Sequence, residues 1–256
     1  MSILRRATRF RELPVLLGLV VVYLGTGFLN PIFFSVSILN DIFFGVAIVA
    51  TLAIAQTFVI VMRHIDLSVG SVVGLTSFLI GDLSSRGFSL LAVLFAALLV
   101  GATVGAVNGF LVGYLGLPSL VVTLATLYIV RGIFNEVGKG QTIVESMVPK
   151  ELNWLGLNRL FGISYLFVIV VVLMLIAGVL MQRTRAARDL YAIGSNPSAA
   201  GLVGIPVKLR VLAAFTATGA ISGLAGAVML ARFNSSSTQS GLGLELLVVA
   251  ACVVGG

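Results

Sequence analysis

Long apolar runs alternate with short polar breaks along this chain, and the runs are too long to be strands. They fall at about 13–29, 43–62, 69–83, 88–115, 117–134, 163–181 and 212–231, and an eighth begins near Leu244. A helix crossing the hydrocarbon core of a bilayer needs roughly 20 apolar residues. The pattern therefore predicts an all-α fold, a polytopic helical bundle of about eight spans forming one transmembrane domain over residues 1–256. The fourth run exceeds a perpendicular crossing, which predicts tilt. The breaks carry turn and helix-stop residues: Asn30-Pro31, the hairpin RHIDLSVGS, SSRG at 84–87, Gly116 with Pro118, and NSSSTQSGLG at 234–243. Two breaks are longer, a mixed-charge loop at 136–161 and a basic loop at 183–210. The chain stops at Gly255-Gly256 without a polar tail, from which further spans, about ten in all, are expected.

Composition agrees. Hydrophobic residues make up 59% of the chain and charged residues 10%, against about 25% charged in soluble domains. The net charge of +7 has too little polar surface around it to suggest nucleic acid. Its distribution carries topology instead, because Lys and Arg stay on the cytoplasmic side. Arg5, Arg6, Arg9 and Arg11 precede the first run, and Arg183, Arg185, Arg188, Lys208 and Arg210 follow the sixth. Six crossings separate these groups, so both fall on one side. The N-terminus and loop 183–210 are expected in the cytoplasm, and loop 136–161 outside. No cleavage pattern follows the first run, which reads as a membrane helix rather than a signal peptide. Cys252 stands alone, which excludes an intrachain disulfide.

Within the basic loop, GSNPSAAGLVGIP (residues 194–206) is neatly punctuated. Asn196 suits an N-cap and Pro197 the first helical position, where no N–H is needed. Residues 198–203 then form about two turns, roughly 10 Å, ended by Gly204 with positive φ and by Pro206. Helix signals alone leave this element open between a passive loop helix and a docking element.

Other polar and small residues stand out against the apolar background. Asp66 is expected to N-cap the third helix with Ser68 at its second position, or else to serve the transport path. Gly101, Gly105, Gly109 and Gly113 recur every four residues and make a bare ridge on the fourth helix. Gly219, Gly223 and Ala227 repeat the device in the seventh. Asn108, beside the ridge, is placed to bond a neighbouring helix or a passing solute. Thr123 and Thr126 bond their own backbone or face a lumen. His64 has no catalytic companions and reads as interfacial. GKGQT at 138–142 lacks the G-x-x-x-x-G-K-[ST] spacing of a phosphate loop. No catalytic set or metal constellation is visible, and no ATPase site of the chain's own is expected.

Several of these stretches resemble one family. Ser198-Ala199-Ala200-x-x-x-Gly204 resembles the EAA---G loop of ABC-importer permeases, with Ser in place of Glu. HIDLSVGS (64–71), LPSLVVTLATLYIVRGI (117–133), YAIGSNPSAAGLVGIPV (191–207) and SGLAGAVMLAR (222–232) are similar to the monosaccharide-type permeases, which include the ribose, xylose, rhamnose and autoinducer-2 branches. Arg63-His64, where most sugar permeases have Gly-Gly, is closer to the autoinducer-2 and rhamnose branches. The resemblance covers nearly the whole chain. It implies a multi-pass permease of the bacterial inner membrane that imports a small sugar-like solute. Asn196, Ser198, Ala199, Ala200 and Gly204 would couple it to a cytoplasmic ATP-binding cassette subunit. That partner would bind ATP and Mg, and this chain would bind no cofactor. A second permease copy or paralogue, a periplasmic binding protein and membrane lipid complete the implied partners. Asp66, Ser68, Asn108, Thr123 and Thr126 are the candidate path. The alternative is an autonomous channel or secondary carrier, which the shortage of intramembrane charges disfavours.

Overall fold

A computed structural model of the protein describes residues 13–160 and 162–255. Arg5, Arg6, Arg9, Arg11 and Gly256 lie outside the described residues. The expected apolar runs are all helical: α1 (Leu13–Leu29), α2 (Val36–Ile60), α3 (Val69–Ser85), α4 (Leu90–Gly113), α5 (Ser119–Gly138), α7 (Tyr165–Arg183), α10 (Val207–Phe233) and α11 (Leu244–Gly255). Among the described residues, five of these, α2, α4, α5, α7 and α10, are long and apolar enough to cross a membrane. The apolar helices α1, α3 and α11 are shorter. The whole is an all-α polytopic membrane protein.

The helix ends follow from local chemistry. Ser35 precedes α2 and its hydroxyl accepts from Ile38 N at 3.4 Å. Gly116, at φ +70°, turns the chain between α4 and α5, and Pro118 stands at the α5 N-terminus. α5 stops where Lys139 and Gly140 both take positive φ, 44° and 73°.

Both long breaks contain structure that the apolar pattern did not predict. The segment 136–161 holds α6 (Lys150–Leu157) and β1 (Arg159–Leu160), which pairs antiparallel with β2 (Ile163–Ser164) just beyond it. The segment 183–210 holds α8 (Arg185–Ser195) and α9 (Pro197–Leu202). Thr184 caps α8 by accepting from Ala187 N at 3.2 Å.

The core is arranged around two helices. α3 is innermost, with 12 of its 17 residues buried, so its Ser71, Thr76 and Ser77 face protein rather than lipid. α10 packs against α2, α3 and α4. α7 lies at the periphery, where only Leu166 and Val170 are buried. The ends of α2, α4 and α7 and the beginnings of α3, α5 and α10 gather at the end of the bundle that carries α8 and α9. Contacts such as Gly194 against Val61 O and Ile65 N donating to Ser119 Oγ hold that end together.

Candidate functional site

The glycines of α4 and α10 face each other. A Cβ on Gly101 would strike Gly219 O, and one on Gly105 would strike Phe215 O. On Gly109 it would lie 2.8 Å from Leu212 Cα, and on Gly113 2.9 Å from Lys208 O. Seen from α10, a Cβ on Gly219 would meet Gly101 O, and one on Gly223 would meet Ala97 O. Two backbones thus touch along roughly 18 Å of helix. Ala227, 7% exposed, continues the small-residue row.

Beside this seam the five polar residues singled out from sequence meet in one place. Thr126 Oγ1 donates to Asn108 Oδ1 at 2.6 Å, and Asn108 Nδ2 donates to Ser68 Oγ at 3.0 Å. Ser68 Oγ and Ser68 N both donate to Asp66 Oδ1, at 2.6 and 2.9 Å. Thr123 Oγ1 donates to Ile65 O at 3.2 Å, which ties α5 to the same connector. All five residues are buried. The expectation that Asp66 caps α3 directly is corrected. The helix begins at Val69, so Ser68 occupies the cap position, and Asp66 braces it from two residues upstream. Asp66 Oδ2 has no hydrogen-bond partner. In this connector, outside the spanning helices, burial raises the Asp66 carboxyl above its ordinary pKa, against the opposing bonds from Ser68. His64, whose ring lies 5.9 Å from that of Phe215, has its pKa lowered by burial.

At the end of the bundle near this connector, α9 stands out from the body. Asn196 Oδ1 accepts from Ala199 N at 3.1 Å, and Pro197 occupies the first turn. Gly204 takes φ +87°, and Ile205 N donates to Ala200 O at 3.1 Å, closing the helix. Asn196, Ser198, Ala199, Gly201 and Gly204 are exposed. Ala200 is only 4% exposed and packs inward with Ile193, Val59 and Met62. It is therefore a root of α9 and not part of its outer face. The outer face ends in two residues the sequence reading passed over, Leu202 at 90% exposure and Val203 at 77%. Two large apolar side chains side by side in a polar loop were the signal for them. Beneath α9, Arg210 Nε donates to Asp189 Oδ2 at 2.8 Å and so fastens α8 to α10.

Two charged residues inside the bundle, Arg131 on α5 and Glu245 on α11, were also missed. Among the described residues no group of His, Cys, Asp and Glu side chains is placed to hold a metal ion.

The profile of a family described as "Branched-chain amino acid transport system / permease component" matches residues 38–256, from early α2 onward. The "Autoinducer 2 import system permease protein LsrC" of Escherichia coli O9:H4 (strain HS) is 35% identical over 246 residues, covering 96% of this chain and 71% of that protein. Its namesake from Enterobacter sp. (strain 638) is 37% identical with the same coverage. The one from Salmonella paratyphi B (strain ATCC BAA-1250 / SPB7) is 35% identical, over 96% of this chain and 70% of that protein. No solved structure matches the chain.

Proposed function

The chain belongs to this family of permease components, and we propose that it builds the membrane path of an ATP-driven importer for a small sugar-like solute, the class to which autoinducer 2 belongs. In this reading the chain pairs with a second permease subunit in the bacterial inner membrane, with its N-terminus in the cytoplasm. A periplasmic binding protein delivers the solute. A cytoplasmic ATP-binding cassette subunit binds ATP and Mg and hydrolyses the nucleotide.

The observation that carries the reading is the capped, outward-standing α9 with Leu202 and Val203 at its tip. Exposed apolar side chains at the tip of a short helix, with arginines on the preceding α8, suit docking in a groove of another protein. Motion received there passes into the bundle by three links. Asp189 and Arg210 join α8 to α10. Gly194 bears on the end of α2. The glycine seam joins α10 to α4. The Asp66–Ser68–Asn108–Thr126 network then carries the motion to α3 and α5, and its free acceptor, Asp66 Oδ2, is offered to a solute hydroxyl when the path opens.

Reconstitution with the ATPase subunit and binding protein tests this. Uptake of labelled autoinducer 2 or of monosaccharides into proteoliposomes should require ATP and both partners. Leu202→Arg would have to bury an unpaired guanidinium at the contact, a cost of several kcal/mol. It should leave the amount of protein in the membrane unchanged while uptake falls at least tenfold. Full uptake by Leu202→Arg, or uptake without the ATPase, would overturn the reading.

A further inference from the structure

The polar stretch NSSSTQSGLG reads in sequence as a loop outside the bundle, yet the chain turns back there. α10 ends with Asn234 at φ 48°, and the next residues run along α3. Ser236 Oγ lies 2.6 Å from Ser77 Oγ, and Ser236 exchanges backbone hydrogen bonds with Ile143 at 2.8 and 3.1 Å. Further along, a Cβ on Gly74 would meet Ser240 O, and one on Gly241 would meet Gly70 O. From Ser77 to Gly70 is roughly 10 Å along a helix. Residues 234–243 are therefore non-helical backbone beside the most buried helix of the bundle. In a membrane such backbone is tolerated where it is buried in protein or lines a cavity.

The polar groups of this segment have specific partners. Arg131 Nη1, from α5, donates to Thr238 O at 3.1 Å and to Ser240 O at 2.7 Å. Glu245, 9% exposed in the first turn of α11, accepts from Gly243 N at 3.2 Å through Oε1. Its Oε2 lies against Gly70 in the first turn of α3, where unpaired helix amides favour a negative charge. Charged groups at this position are costly and mark transport pathways in membrane proteins. A staple for the segment would leave nothing over, but Arg131 Nε and Glu245 Oε2 are both buried without a hydrogen-bond partner. Gln239, Leu242 and Gly243, on the same turn, are exposed. The Asp66 network leaves one such atom, Asp66 Oδ2, and no free donor among its own residues.

We propose that Arg131, Glu245 and the turn at 237–243 form a constriction that binds the hydroxyls of a neutral polyhydroxylated solute, with Arg131 Nε as donor and Glu245 Oε2 as acceptor. This inference rests on the permease reading and adds to it the residues that meet the solute.

Two measurements on the assembled transporter test it. Single cysteines replace Gln239, Leu242 or Leu175 in a Cys252→Ser background, and membranes are treated with a water-soluble thiol reagent. Positions 239 and 242 should react, while position 175 on the outer face of α7 should not; silence at both 239 and 242 would overturn the proposal. The second measurement compares uptake of ribose and rhamnose with uptake of their monodeoxy analogues. In Glu245→Gln, discrimination against at least one analogue should fall fivefold or more, and Glu245→Asp should restore part of it. Unchanged discrimination for every analogue would also overturn the proposal. Failure of the permease reading looks different: wild-type transporter with all its partners takes up no solute, whatever the labelling pattern.

Discussion

At the scale of single residues, the seam between α4 and α10 has no room for a side chain. Gly105→Ala would drive a methyl group into Phe215 O, and overpacking of this kind costs about 1–3 kcal/mol. Gly105→Leu should cost more and prevent accumulation of the protein. Gly178 on α7 has nothing within 4 Å of its added Cβ, so Gly178→Ala should be neutral or stabilising by up to about 1 kcal/mol. Thermal unfolding in detergent separates the two; equal effects would place the seam in lipid. In the polar network, Asp66→Ala leaves the buried Ser68 N–H without its acceptor, a cost of about 1–3 kcal/mol. Asp66→Asn keeps a carbonyl oxygen there and should be milder in the same assay. The glycine ridge was legible in sequence because a spacing of four residues puts bare positions on one helix face. The partners of Asp66 were not, since Asn108 is 40 residues from Ser68 and 18 from Thr126, and only tertiary packing brings them together.

At the scale of elements, α9 shows where helix signals suffice and where they stop. Asn196, Pro197 and Gly204 set its start and end from sequence alone, but which side faces the bundle depends on how α8 seats it. α8 was itself readable: Ala187, Leu190, Ile193 and Gly194 repeat at helical spacing and are the residues it buries. The concentration of arginines around them disguised the pattern as a loop. The orientation of α9 changes what a substitution there tests. Ala200→Arg should lower the amount of folded protein, because the side chain enters the cluster around Ile193 and Met62. Ala199→Arg, on the exposed side, should leave abundance intact and reduce ATP-driven uptake several-fold. Membrane abundance by immunoblot together with uptake distinguishes them, and the reverse pattern would mean that α9 is seated the other way round. The re-entry of 234–243 could not be read in this fashion, because serine-rich polar sequence suits an aqueous loop equally well.

For the whole molecule, the succession of apolar runs prescribed the helix order, and the basic residues gave a sidedness that labelling can check. With Cys252→Ser as background, cysteines at Asn196 and Gly140 should react from opposite faces of the membrane. An impermeant reagent added to intact cells should reach position 140 and spare position 196. Labelling at 196 would invert the arrangement and rule out the proposed docking of α9 on a cytoplasmic ATPase. The sequence could not rank the helices from centre to rim, since α3 and α7 are both apolar. What distinguishes them is that α3 carries small and hydroxylated residues that other backbones approach, whereas α7 carries bulky aliphatic side chains that suit lipid.

The close approach of α4 and α10 also has a mechanical consequence. Two helices in backbone contact over four successive glycines cannot slide or splay without losing all of those contacts together, so the pair acts as a single stiff beam. Any rearrangement of the bundle must then be taken up away from this pair, and α7, where only Leu166 and Val170 are buried, is the helix least held by its neighbours. Amide exchange should follow that division, slowest along the beam and faster along α7.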